Sequence, residues 1–280
     1  MANNSGWLDP LRSVFGSATS SPTSHEPDLG YALSEAERAL IETLPFQRHA
    51  VPGDRVFAAW QQLRVAGDGY PIIVGDDESL ARLAEGLAFD DRESGEILEA
   101  AAALQMPEAM AARRRQEHDE AVDYLRSVGQ EPDGEEMDEP PTGDWPAHAP
   151  ELGVDGPLLA IGVLAQRPLD RANILVIPAA SGPEVPAHLR YGNWNECPRA
   201  EYHVALLRSW HERYGAELVS MGADTVELRV KRRPASREEA LALAREHYAY
   251  CNETVDQGTQ GLATRAANLM RSDWWFFWWD

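Results

Sequence analysis

Lysine is almost absent from this chain: Lys231 is the only one among 25 basic side chains. Base of either kind is scarce against 46 acidic residues, which gives a formal net charge of −21 over 280 residues. Nucleic-acid binders and binders of anionic membranes need clustered Lys and Arg, so we expect neither partner. The two clusters present, Arg113–Arg115 and Arg229–Pro234, read as solvated faces. Cysteine is limited to Cys197 and Cys251, too few for a disulfide scaffold. No apolar run approaches the roughly 20 residues of a membrane-spanning helix. The first residues, MANNSGWLDP, lack the basic and apolar regions of a secretion signal. We expect a cytoplasmic protein. No phosphate-binding glycine loop, H-E-x-x-H or G-x-S-x-G is present, which removes the commonest catalytic signatures.

What is present is unevenly distributed. Residues 1–150 hold 29 acidic and 11 basic side chains, whereas residues 151–280 hold 17 and 14. Residues 1–30 are rich in Ser, Asn, Thr and Pro and read as a flexible tail. Within it Trp7, Leu8, Leu11, Val14 and Phe15 are spaced like a short amphipathic helix, able to dock on a partner or on the protein itself.

Residues 31–128 read as a helix-rich α/β module. Ser34 and Glu37 form a capping box for a helix to about Leu44. Asp54–Arg64 carries Val56, Phe57, Trp60 and Leu63 on one helical face, and Tyr70–Val74 reads as a buried strand. Asp76 or Asp77 caps the next helix, Ser94 another, and Pro107 opens a third. Residues 129–150, with seven acids and five prolines, read as an acidic linker.

Residues 151–280 read as an α+β domain with helices on a mostly antiparallel sheet. Strands are expected at Leu158–Leu164 and Asn173–Ile177, and a hairpin joins Ala216–Met221 to Thr225–Val230. In its second strand Glu227 and Arg229 alternate with Val226, Leu228 and Val230, so one face is expected to be wet. Helices are expected from Pro198 to Tyr214, from Ser236 to Tyr250 and from Gly258 to Leu269. The terminal run Trp274–Trp279 reads as a central strand buried on both faces; an exposed aromatic surface is the alternative.

Five segments together resemble a bacterial family, the domain of unknown function 4253. They are GNWNECP (Gly192–Pro198), LRSWHERYGAELVSM (Leu207–Met221), EEALALAREHYAYC (Glu238–Cys251), VDQG (Val255–Gly258) and WWFFWWD (Trp274–Asp280). The stretch YPIIVGDDE (Tyr70–Glu78) is similar to the upstream part of longer members. The resemblance implies a bacterial protein with a compact C-terminal domain. It brings no activity and no catalytic residues.

The candidate site residues follow from chemistry. Cys197, just before the helix that Pro198 begins, stands where a helix dipole lowers a thiol pKa and favours the reactive thiolate. Trp194, Asn195 and Glu196 belong to the same loop and read either as ligand-gripping residues or as a capping loop. His247 and Cys251 share a helical face. With Cys197, His203 or Asp256 they have donor types that suit Zn²⁺, but no paired ligand motif anchors them, and no metal or other cofactor is expected. Cys197 or Cys251 with His203, His211 or His247 is a possible nucleophilic pair. Asp256 and Gln257 read as cleft or turn residues. The acids Asp76, Asp77, Glu78, Asp90 and Asp91 are candidates for engaging a basic protein. Three functions stay open: an acidic binding or inhibitor protein for a basic protein partner, such as a toxin immunity protein; an enzyme with a site around Trp194–Cys197, His247 and Asp256; and an assembly component without chemistry.

Overall fold

A computed structural model describes residues 32–131, 140–148, 156–162 and 167–279. The expected tail with its Trp7–Phe15 pattern lies outside these residues, as do positions 132–139 of the acidic stretch.

Helix α1 (Glu35–Glu42) starts at the expected capping box, with Ser34 Oγ accepting from the Glu37 N–H and Glu37 accepting from the Ser34 N–H. Strand β1 (Gln47–Val51) follows, then a 3-10 turn and α2 (Val56–Ala66), which Gly67 ends at φ 80°. Strand β2 (Tyr70–Gly75) is buried at every residue, and Asp76 caps α3 (Asp77–Phe89) through the Ser79 N–H. Helix α4 (Ser94–Ala102) is capped by Glu93 rather than Ser94, because Glu93 and Glu96 form the reciprocal box. Pro107 stands at the cap of α5 (Glu108–Ser127).

Within the expected strand Leu158–Leu164, residues 158–160 are instead a 3-10 turn (Leu158–Ala160) and a two-residue strand β3 (Ile161–Gly162) pairs with β4 (Arg167–Pro168); positions 163 and 164 lie outside the described residues. Next come β5 (Ala172–Ile177), α6 (Val185–Leu189) and α7 (Ala200–Tyr214), which Gly215 stops in the left-handed region. The hairpin is β6 (Glu217–Met221) and β7 (Thr225–Arg229). Ser236 caps α8 (Arg237–Tyr250); the next segment is π-helical at Thr254–Thr259 before α9 (Leu262–Leu269) and β8 (Trp274–Trp278).

The architecture is mixed α+β. One six-stranded sheet has the order β1-β5-β2-β6-β7-β8, antiparallel except for β2 beside β6. Strand β5, from the second half of the sequence, lies between β1 and β2 from the first. Alternate residues of the strands face two different cores. Ile72, Val74, Leu175, Leu218, Leu228, Trp275 and Phe277 pack with α3, α7, α8 and α9. Ile73, Ile174 and Val219 pack with Val56 and Trp60 of α2. Residues 140–148 also join the fold: the carbonyls of Pro141 and Thr142 accept the first free N–H groups of α9, from Leu262 and Ala263. Trp145 packs against the larger core under the Arg237 guanidinium.

Two further expectations about strands are corrected. Strand β8 is at the edge of the sheet, not its centre: Trp275, Phe277 and Trp279 are buried, while Trp274, Phe276 and Trp278 are only partly so. Its outward carbonyls are occupied by side chains. The Phe276 carbonyl accepts from Arg265 and the Trp278 carbonyl from the Cys251 thiol. The face of β7 that carries Glu227 and Arg229 is wet only at Arg229, which is exposed. Glu227 is 2% exposed because the Leu158–Ala160 turn lies over it and donates the Leu158 and Leu159 N–H groups to its carboxylate. Among the described residues no helix is long and apolar enough to cross a membrane.

Candidate functional site

The GNWNECP loop, between α6 and α7, is built from unusual backbone. Arg190, Gly192, Asn193 and Asn195 have φ of 51°, 103°, 73° and 45°. Asn tolerates this region better than most side chains, and glycine is free of its strain. At Gly192 a Cβ would lie 1.8 Å from the Pro198 carbonyl oxygen. That close approach lets the Asn193 N–H reach the carbonyls of Cys197 and Pro198, which closes the loop on itself.

Cys197 does not sit in the first turn of a helix. Helix α7 begins at Ala200, and the Cys197 side chain is 2% exposed with Sγ 3.5 Å from His203 Nε2. Burial pushes its thiol well up, opposite to the expected effect of a helix dipole. His203 Nε2 lies 3.0 Å from the Pro198 carbonyl, which only a ring N–H can serve. Its Nδ1, 2.7 Å from the Tyr250 hydroxyl, is then the acceptor. Burial, and then the Arg113 charge, bring the His203 pKa down to about 3. A histidine whose Nε2 already carries its proton and faces a carbonyl cannot deprotonate the thiol beside it. Cys197, His203 and Tyr250 therefore meet as a neutral buried cluster, with Tyr191 and Trp279 packed on the histidine ring.

The other proposed partners are elsewhere. His247 is fully buried between Trp210, Trp275 and Phe277, and its Nδ1 accepts from Arg265 at 2.9 Å. Burial, helped by Arg265, holds its pKa well below the ordinary value. Cys251 is pushed up by burial while its thiol serves the Trp278 carbonyl. Among the described residues no group of three or more His, Cys, Asp or Glu side chains is placed to hold a metal. Asp256 and Gln257 are exposed on the π-helical segment, where Asp256 accepts from Tyr248 and Asn252. The Glu196 carboxylate pairs with Arg114 and its carbonyl accepts from Arg113.

Most of the selected acids serve the fold. Asp76 is a helix cap, Asp77 binds Arg171 and Asn173, Glu78 pairs with Arg82, and Asp90 pairs with Arg92. The Arg92 hydrogen bonds hold the Asp90 carboxyl below its usual range. Asp91 is exposed.

What the loop does form is one wall of a cleft of about 380 Å³. Helix α3 is the opposite wall, and the β6–β7 turn and Trp279 close one end. Leu83, Phe89, Leu189, Tyr191, Trp194 and Trp279 give it an apolar lining; Arg82, Glu85, Arg190, Asn195 and Asp224 add polar groups of both signs. Arg190 holds the two sides together by donating to the carbonyls of Leu87 and Arg92. Phe89, the last residue of α3, is 91% exposed. A smaller, polar depression of about 290 Å³ lies on the other side of the loop, lined by Arg113, Asn193, Cys197, Arg199 and Tyr202 among others.

Sequence reasoning found Trp194 and Asn195 but not α3 as their opposite wall. Phe89 is out of phase with the buried Leu80 and Leu83 on α3, which is the only local sign of its exposure. The His203–Tyr250 contact joins residues 47 apart and leaves no local sign.

Neither a curated protein nor a solved structure matches the chain. Residues 173–280, from β5 onward, match the family model described as "Domain of unknown function (DUF4253)".

Proposed function

We propose that the chain is a cytoplasmic binding protein that engages a basic protein partner through the cleft between α3 and the Gly192–Pro198 loop, in the manner of an immunity or inhibitor protein. One observation carries the reading: the cleft presents Phe89, 91% exposed, beside the partly buried Trp194, while the nucleophile and base candidates of the neighbouring loop and helix are buried and neutral. A site of about 380 Å³ is at the small end of ligand clefts, roughly 300–1,000 Å³, and suits one or two bulky side chains of a protein partner. The net charge of −21, with Glu85, Asp91 and Asp224 at or near the cleft, favours a partner whose apolar anchor is flanked by Arg or Lys.

The test uses the chain as bait in its native host and follows the captured partner by surface-plasmon kinetics. Phe89→Ser and Trp194→Ala are expected to lose at least tenfold in affinity, and the wild-type on-rate to fall as salt rises. Cys197→Ser is expected to bind normally. If a folded Cys197→Ser variant alone abolishes function while Phe89→Ser is silent, the reading fails. The enzyme alternative, centred on the polar depression that Cys197 lines, then takes its place.

A further inference from the structure

Two buried hydrogen-bond donors line the same cleft and have no acceptor. Tyr191 Oη and Trp279 Nε1 are buried without a hydrogen-bond partner. Each residue is 2% exposed, and both line the cleft between α3 and the Gly192–Pro198 loop. Burial keeps the Tyr191 hydroxyl protonated, so it stands there as a donor. An indole N–H can only donate. A buried donor without an acceptor has given up its water with nothing in return, and native structures rarely leave one so.

The missing acceptor does not come from the rings packed around them. The Tyr191 ring meets Trp194, His203 and Trp279 edge-on, and the Trp279 ring meets His203 and Tyr250 in the same way. An indole has no acceptor to give. His203 has both nitrogens engaged, Nε2 with the Pro198 carbonyl and Nδ1 with the Tyr250 hydroxyl. The side that remains is the cleft. Trp275 Nε1 is unpartnered as well, but it lines neither the cleft nor the polar depression across the loop.

The walls select the kind of group that fits. Leu83 and Leu189 are buried, Trp194 is partly buried, and Phe89 is exposed at the end of α3, a lining that suits a flat apolar body. The charges argue against an anion. Glu85 and Asp224 are exposed at the cleft, and the chain carries a net −21. The two cations are already engaged: Arg82 pairs with Glu78, and Arg190 donates to the carbonyls of Leu87 and Arg92. A flat ring that ends in a neutral oxygen meets all of these conditions. Tyrosine is the side chain of that description.

We infer that the cleft is a phenol pocket, taking an aromatic ring whose neutral oxygen accepts from Trp279 Nε1–H and from the Tyr191 hydroxyl. The inference rests on the reading of this cleft as the partner site, and it names the residue that enters: a tyrosine of the partner, flanked by Arg or Lys. A phenylalanine in its place would leave both donors unpaired. Sites built to hydrogen-bond a hydroxyl discriminate strongly against the analogue that lacks it.

The test uses the full chain, isotope-labelled, and p-cresol, which is the tyrosine side chain as a free molecule. Toluene, without the oxygen, and 4-methylbenzoate, with a charged end, are the comparisons. In a nuclear magnetic resonance titration p-cresol is expected to bind with a Kd of about 1 mM or tighter. It is expected to bind at least tenfold more tightly than either comparison and to shift the amides of Gly86, Phe89, Trp194 and Asp224. The assigned indole N–H signal of Trp279 is expected to move downfield with p-cresol and not with toluene. Tyr191→Phe deletes only the unpartnered hydroxyl. It is expected to lower the preference for p-cresol over toluene at least threefold and to leave toluene binding unchanged. Equal binding of p-cresol and toluene, tighter binding of 4-methylbenzoate, an unmoved Trp279 indole signal, a preference that survives Tyr191→Phe in full, or shifts away from the cleft overturns the inference. So does the absence of p-cresol binding at about 10 mM. The two readings fail separately. If p-cresol and toluene bind alike while Phe89→Ser abolishes partner capture, the inference falls and the cleft remains the partner site. If the p-cresol results hold while Phe89→Ser leaves capture intact, the proposed function falls and the pocket stands as a site for a free phenol.

Discussion

Glu227 is buried on β7 with two N–H donors, and its desolvation outweighs them, raising its pKa from 4.5 to about 7. The folded state thus holds a proton that the unfolded chain releases at lower pH. Stability contributed by that proton is present in full below about pH 4.5 and falls as pH rises toward 7. The whole difference is roughly 3 kcal/mol for about 2.5 pH units. Glu227→Gln removes the titration. Denaturant unfolding at pH 5 and pH 8 is expected to show the variant gaining on wild type by an amount of that order; parallel profiles would show that the carboxylate is solvated. The thiols give a second expectation. Both are buried with raised pKa, so iodoacetamide at pH 8 is expected to modify neither Cys197 nor Cys251 until the protein is unfolded. Rapid modification of Cys197 in the native state would restore the nucleophile reading. Gly192→Ala is expected to destabilise by more than about 1 kcal/mol, since φ is 103° and the added Cβ meets a carbonyl at 1.8 Å. A thermal midpoint equal to wild type would mean that the loop relaxes freely.

The terminal strand shows how much an element's sequence tells and where it stops. The run WWFFWWD identifies a strand, and six aromatic residues in a row argue for burial on both faces. Strand β8 instead lies at an edge, with alternate burial, because its sheet neighbours are chosen by residues far away in the chain. Periodicity reports a residue's phase, not which strand comes beside it. The helices were legible for the opposite reason: caps such as Ser34, Asp76, Ser236 and the left-handed Gly215 act within a few residues. The site was half legible. Trp194 and Asn195 stand in a loop with its own turn chemistry, whereas α3 reaches them only through the fold. The edge position makes a measurable contrast. Phe277→Ala removes a fully buried ring and is expected to cost about 3–5 kcal/mol. Phe276→Ala, on the partly exposed face, is expected to cost much less. Equal losses in denaturant unfolding would return β8 to the interior of a sheet.

The interleaved sheet decides how the whole molecule behaves when it is divided. The acidic stretch looked like a boundary between two modules, yet β5 of the second half is hydrogen-bonded to both β1 and β2 of the first. A protease site inserted between Glu131 and Pro140 is therefore expected to yield two fragments that elute together at the native volume. Fragments that separate without denaturant would show that each half stands alone. For the same reason residues 173–280, expressed by themselves, would leave β5 without either neighbour. The same interleaving has a consequence during synthesis. Strands β1 and β2 are complete once Gly75 has been added, but the strand that belongs between them ends only at Ile177. At about 5–20 residues per second, the ribosome takes roughly 5–20 s to make the intervening chain. Throughout that interval the nascent protein carries two strands that must not pair with each other, and the burial of β2 waits on a segment not yet translated. Folding of this sheet is therefore tied to completion of the second half, and stalled or truncated synthesis releases an open sheet instead of a finished first domain.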